Sequence, residues 1–179
     1  MSFPARAFTI VALLFISGQS FAASPQSKTA SSKRASAQKQ ADSGPVRFSN
    51  PSTMAKPVST YSQVVEVTGG KTVYIAGQVA LDTSGTLVGP NDFRAQAEQV
   101  FKNIKAAVES AGGDMSSLVK TNYYVAESVD PTKIAALREV RDRYINTANP
   151  PTSTFVVVKR LARLEYLVEV EAVAVVNKQ

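Results

Sequence analysis

Past residue 45 the apolar positions switch between alternating or continuous short runs, which read as strands, and a helical spacing of three and four. A short leading strand is predicted near Val46 to Ser49. Val64, Val65 and Val67 form one β-branched run, and Thr72 to Leu81 form another. Gly69-Gly70 lies between them, which is a hairpin signal. Gly77 interrupts the second run. A glycine inside a strand weakens it and marks a bulge or a close backbone approach. From Phe93 the period changes. Phe93, Ala97, Val100, Phe101, Ile104, Ala107, Val108 and Ala111 fall on one helical face. Asn91 or Asp92 can cap this helix and Gly112-Gly113 ends it. A strand follows from Leu118. Asp130 and Pro131 then open a second helix as cap and first residue, with Ile134, Leu137 and Tyr144 on its buried side. Thr154 to Val158 and Tyr166 to Val176 are the last two strands.

The order is β-β-α-β-α-β-β after the short leading strand. It predicts an α+β fold with two helices packed on one face of a mixed sheet. Two helices cannot cover both faces, so a second copy of the chain is expected on the other.

Composition narrows the chemistry. Hydrophobic residues make up 44% of the 179, enough for a real core. Cys and His are absent, which removes thiol nucleophiles, Ser-His-Asp triads, disulfides and the usual zinc ligand sets. Carboxylates, Lys, Arg, Tyr, hydroxyls and backbone groups remain. The net charge of +6 is uneven: residues 1–47 carry +5 of it, and the rest is near neutral at +1. A nucleic-acid partner would favour a basic stripe on the fold itself, so none is expected.

The first residues read as an address. Arg6 precedes an apolar run from Ala7 to Ile16, and Ser20-Phe21-Ala22 has the small-x-small form of a cleavage site. The run is shorter than the roughly 20 residues a bilayer span needs. Residues 1–22 are read as a signal peptide, so no stable membrane insertion is expected after cleavage. Residues 23–45 are rich in Ser, Ala, Lys and Gln without apolar periodicity and read as a disordered tether. The basic cluster Lys28 to Arg34 could meet an anionic surface or remain a solvated linker. Residues 46–179 hold the domain. The protein is expected to be exported, to the periplasm if the source is Gram-negative and otherwise secreted.

Several stretches, in this order, resemble the reactive intermediate deaminase (RidA-like, YjgF) family: "YSQVVEV", "VYIAGQVALD", "AEQVFKNIKAAVESAGG" with "LVKTNYYV", and "YLVEVEAVAV". The resemblance implies a chorismate-mutase-like fold and a homotrimer with clefts between subunits. It further implies hydrolysis of reactive imines and enamines to keto acids and ammonia, with no cofactor and no metal.

It also implies roles. Family members acting on amino-acid-derived imines grip the substrate carboxylate with an arginine in a P-x-R-(S/T) turn, a natural use of a bidentate fork. The matching turn here is Pro151-Thr152-Ser153-Thr154, so Ser153 occupies the arginine position. Serine cannot form the fork, and losing one charge-assisted contact costs about 1.5–3 kcal/mol. Glu169 matches the glutamate thought to position or activate water. Alternation places Glu171 on the same strand face, and both could instead be solvated. Tyr61 matches a cleft tyrosine or packs at a subunit edge. Gly77 matches a glycine whose backbone faces the ligand, or is a structural bulge, with Gln78 beside it serving packing. Thr154 can offer its hydroxyl to a ligand or stabilise the turn. Arg138, Arg141 and Arg143 could replace the missing arginine from the second helix or form a solvated face, while Lys159, Arg160 and Arg163 are expected at the surface.

The sequence therefore supports an exported hydrolase of small imines or enamines, with a water positioned by Glu169 and Tyr61, Gly77, Ser153, Thr154 and Arg138 around a small-molecule ligand. The alternative is a non-catalytic trimer that binds a small ligand or acts as a chaperone, having lost the arginine-dependent reaction.

Overall fold

The structure is a computed structural model and describes residues 44–177. The expected signal peptide, and the tether up to residue 43, lie outside the described residues. Among those described, no helix is long and apolar enough to cross a membrane.

Strands β1 (Val46–Ser49) and β2 (Val64–Val67) pair antiparallel as a small sheet of their own. The main sheet contains β3 (Lys71–Gln78), β4 (Leu118–Ala126), β5 (Thr152–Val158) and β6 (Val168–Val176), in the order β3-β6-β4-β5. β6 runs antiparallel to both β3 and β4, whereas β4 and β5 are parallel. The parallel pair needs a crossover. Helix α2 (Ile134–Tyr144) supplies it, after a 3-10 turn at Pro131–Lys133. Helix α1 (Phe93–Ser110) makes the connection from β3 to β4. The mixed α+β architecture is the one expected.

One expectation is corrected. Gly69-Gly70 does not join paired strands, because β2 bonds β1 and β3 bonds β6. Gly70 has φ +99°, and a Cβ there would sit 2.6 Å from Val175 Cγ1. The glycine is needed where the chain enters the sheet against the end of β6, not for a two-residue hairpin.

Local chemistry explains the helix ends. The Asp92 carboxylate accepts from the Ala95 N–H at 3.0 Å, satisfying a donor the first turn leaves over. At the other end Gly112 takes φ +87°, its N–H donates to the Glu109 carbonyl, and Gly113 donates to that of Val108. That pair of bonds is the Schellman termination. Asp130 caps the 3-10 turn by accepting from Thr132 N at 2.8 Å.

Both helices lie on one face of the sheet. Val100, Phe101, Ile104 and Val108 of α1 and Val140 of α2 are fully buried against Val168, Val170 and Ala174 of β6 and their neighbours. The Phe101 ring stacks on Tyr144 at 5.3 Å, joining the helices. Gln96, also fully buried, donates to the Gly89 and Glu165 carbonyls and accepts from Leu167 N, so a polar side chain inside the core fastens the segment leading into β6 to α1.

β3 carries the bulge that Gly77 suggests. Ile75 pairs with Ala172 and Gln78 with Val170, so three steps on β3 match two on β6. A Cβ on Gly77 would fall well inside contact distance of Glu169 Oε1 and 2.8 Å from its Cδ. The obstacle is the end of a flexible side chain, which can swing away. Gly77→Ala is therefore expected to lower stability by only about 1 kcal/mol, and Glu169→Ala in the same chain to abolish that loss. Urea unfolding of the two single variants and the double variant measures the coupling. Equal losses in both backgrounds would show that Gly77 answers to the backbone and not to Glu169.

Candidate functional site

The turn into β5 is fixed before any site is formed. Pro151 is buried, and its carbonyl accepts from the N–H of Ser62 at 3.1 Å. Ser62 is itself buried, so the loop ahead of β2 is pinned to the loop ahead of β5. Thr152 uses its hydroxyl to bond the Val119 carbonyl at 3.1 Å, which anchors the start of β5. On the helix side, Thr60 donates to Asp142 Oδ2 at 3.2 Å and Arg141 Nη2 donates to Ser59 Oγ at 3.4 Å. These bonds, from segments far apart in sequence, hold Ser59 to Tyr61 over the crossover helix.

A cavity of about 270 Å³ opens between that loop, α2 and the edge strand β5. Tyr61, Ser153 and Arg138 line it, so three of the residues singled out in the sequence meet there. Leu137, Phe155 and Val58 give it apolar walls, while Arg141 and Tyr123 add polar groups. Arg138 is exposed, whereas Arg141 one helical turn further on is buried with 7% of its surface accessible. Arg141 Nε donates to Asp142 Oδ1 at 2.8 Å. Arg143, the third arginine of the run, points elsewhere and pairs with Glu98. Lys159, Arg160 and Arg163 are exposed as expected.

Glu169 and Gly77 lie together, but on the opposite side of the sheet from the cavity. Along β6, Val168, Val170, Ala172 and Ala174 are buried toward the helices, so Glu169 and Glu171 turn to the open face. Gly77 clears the space that the Glu169 side chain occupies. The two glutamates differ. Glu171 accepts from Asn122 Nδ2 and from the Tyr124 hydroxyl at 3.1 Å, and that carboxylate pushes the Tyr124 pKa up. Glu169 has neither a hydrogen bond nor an ion pair among the described residues. An unengaged carboxylate beside a bulge is available to a water or a ligand, and Glu171 is not.

Register separates the hydroxyls of the turn. Ser153 pairs with Thr121, which is fully buried, so Ser153 faces the helix side. Thr154 pairs with Asn122 and, through it, lines up with Glu171 on the open face. Thr154 is thus not part of the cavity, although it follows Ser153 directly. Gln78 bonds the Ala76 carbonyl at 3.0 Å, a local role within the bulge.

Two cavity residues were not singled out for a site role by sequence, or only weakly. Arg141 sits in a run of charged residues that reads as solvated, and only its spacing of three from Arg138 hints at a shared face. Tyr123 reads as an ordinary strand aromatic. No group of three or more acidic side chains that could hold a metal occurs among the described residues. The cavity presents cations, phenols and a hydroxyl within apolar walls, which suits a small polar or anionic molecule with a short hydrocarbon body. Among the described residues no carboxylate lines the cavity itself, and Glu169 lies on the other face of the sheet.

Comparison with known proteins agrees with this architecture. The family model described as Endoribonuclease L-PSP matches residues 52–176. Protein DfrA of Myxococcus xanthus is 36% identical over 120 residues, 67% of this chain and 88% of that protein. The 2-iminobutanoate/2-iminopropanoate deaminase of Dermatophagoides farinae is 32% identical over 135 residues, 74% of this chain and 98% of that protein. Among solved structures, a Rid-family protein of unknown function, YyfB from Yersinia pestis, is 34% identical. It superposes with a TM-score of 0.65 over 74% of this chain and all of its own. RidA from an Antarctic Psychrobacter is 36% identical with a TM-score of 0.53, covering 73% of this chain and 99% of its own. A family match spanning almost the whole described domain, with relatives of this identity and coverage, places the chain in the RidA-like (YjgF) family, the one described as Endoribonuclease L-PSP.

Proposed function

We propose that the protein hydrolyses small imines or enamines to carbonyl compounds and ammonia, with Glu169 positioning the attacking water. The observation that carries this is the state of Glu169: without a hydrogen bond or ion pair among the described residues, on an open sheet face, with Gly77 clearing the space it fills. A carboxylate in that state can accept a proton from water as the water adds to the imine carbon. Glu169 returns that proton to the nitrogen to give a carbinolamine, and the carbinolamine hydroxyl proton then moves to the amine as ammonia leaves and the carbonyl forms. Atoms balance with water as the only co-reactant. The name of the mite relative, a 2-iminobutanoate/2-iminopropanoate deaminase, supports the reaction class. The near balance of charge past residue 47 argues against a polyanionic substrate.

The reading requires more than one copy. The cavity with Tyr61, Ser153 and Arg138 and the Glu169 face lie on opposite sides of one sheet, so a single chain does not bring them together. We propose a homotrimer in which the open face of one copy meets the edge strand of the next. Tyr74 on that face is 82% exposed, and Phe155, Val156 and Val157 on β5 are exposed as well, an unusual apolar surface for an isolated chain. We also propose export, on the pattern of residues 1–22. One observation favours a second reading, a small-ligand binder without turnover: serine at position 153 where the fork of an arginine would hold a substrate carboxylate.

Two outcomes are expected. Purified protein should release ammonia from at least one imine generated from a panel of amino acids and simple amines, and Glu169→Gln should lower that rate by about a hundredfold or more. Equal ammonia release from protein, variant and buffer would leave the binder reading in place of the hydrolase. Light scattering should give about three times the chain mass, whereas a stable monomer would remove the shared site altogether.

A further inference from the structure

The cavity beneath Ser153 is more elaborate than a site that has merely lost its arginine. Arg141 is almost wholly buried, yet its bonds are few. Nε holds the adjacent Asp142 at 2.8 Å, Nη2 reaches Ser59 Oγ at a long 3.4 Å, and Nη1 has no acceptor among the described residues. Nη1 is not closed off from solvent, so its donors are available to a molecule in the cavity. Tyr123, on β4 and lining the same cavity, is 2% exposed; its hydroxyl has the Thr121 hydroxyl as a neighbour but meets no partner at hydrogen-bonding geometry among the described residues. Burial pushes its pKa up to about 12, so at neutral pH it is an O–H donor, not a phenolate. A free guanidinium nitrogen and a buried hydroxyl therefore line one cavity.

We infer that this cavity binds a small monocarboxylate, with Arg141 of α2 and the Tyr123 hydroxyl of β4 as the anion anchor in place of a side chain at position 153. Asp142 sets the guanidinium by gripping Nε from one side, and its other carboxylate oxygen is held by Thr60. The Nη1 side is left for the ligand. Arg138, one turn back and exposed at the rim, adds a second positive charge that draws an anion in. Asp142 offsets one of the two cations, so the site balances a single negative charge better than two. Leu137, Phe155 and Val58 leave room for a short hydrocarbon body and no more within about 270 Å³. The inference shares the cavity with the hydrolase proposal and deepens it, since it names the group by which a substrate is held. It does not depend on turnover.

Calorimetric titration of the full protein with butanoate, butanamide and inorganic phosphate tests it. Butanoate is expected to bind at least about tenfold more tightly than the neutral amide of the same shape, and phosphate more weakly than butanoate. Tyr123→Phe keeps the ring and removes only the hydroxyl, so it should fold normally and weaken butanoate about tenfold. Arg141→Lys keeps the charge without the fork and should weaken it at least as much. Amide binding equal to butanoate, a preference for phosphate, no butanoate binding, or wild-type affinity in both variants would each overturn the anchor. Glu169→Gln removes a negative charge from the face proposed to meet the cavity, so it should bind butanoate at least as tightly as the wild type does. Loss of ammonia release without loss of binding therefore separates failure of the hydrolase reading from failure of this one.

Discussion

The alternation along β6 is the constraint on which the rest of the molecule depends. Its buried positions, Val168, Val170, Ala172 and Ala174, form the floor on which both helices rest. The strand is central, bonded to β3 on one side and β4 on the other, so its register cannot slip without turning this floor to solvent. That same register decides where Glu169 and Glu171 point. Stability and the candidate chemistry are thus set by one strand: apolar side chains toward the helices hold the fold, and the residues between them furnish the open face. The extra residue on β3 follows from this arrangement. A regular strand with a side chain at position 77 would crowd Glu169, and a bulged strand with glycine there does not.

Much of this was legible in the sequence because the signals were local. The caps at Asp92 and Asp130, the ending at Gly112-Gly113, the apolar face of α1, the interruption at Gly77 and the two-residue period of β6 each depend on a few neighbouring residues. The hairpin at Gly69-Gly70 was not legible, because strand partners are chosen over long range. β3 gains more by pairing with the central β6 than with β2, and the glycine pair answers to the packing of Val175 instead. The buried state of Arg141 escaped for a similar reason. Nothing in "REVRDR" tells which arginine turns inward. That depends on Ser59 and Asp142 meeting it and on the edge strand lying across the helix.

The stretch "NPPTST" shows the same division at the scale of three residues. Thr152 bonds the Val119 carbonyl and is structural, Ser153 lines the cavity, and Thr154 belongs to the other face. Composition treats them as one hydroxyl cluster, whereas the pleat separates them. Their roles could be assigned only once the parallel register of β5 on β4 was known. The family resemblance matched Ser153 to the position expected for an arginine. It could not say that a buried cation stands across the cavity from it.

That geometry bears on how a site can change its side chains and keep its charge. A guanidinium at position 153 would project from the edge strand toward a cavity that already contains Arg141 and Arg138. Three cations around about 270 Å³, with Asp142 as the adjoining counter-ion, would repel one another in a partly dry space. Serine at 153 and a buried arginine on α2 are therefore compatible with each other in a way that arginine at both positions is not. Ser153, Arg138 and Arg141 line one cavity, so a side chain at position 153 and the cations of α2 have to be considered together.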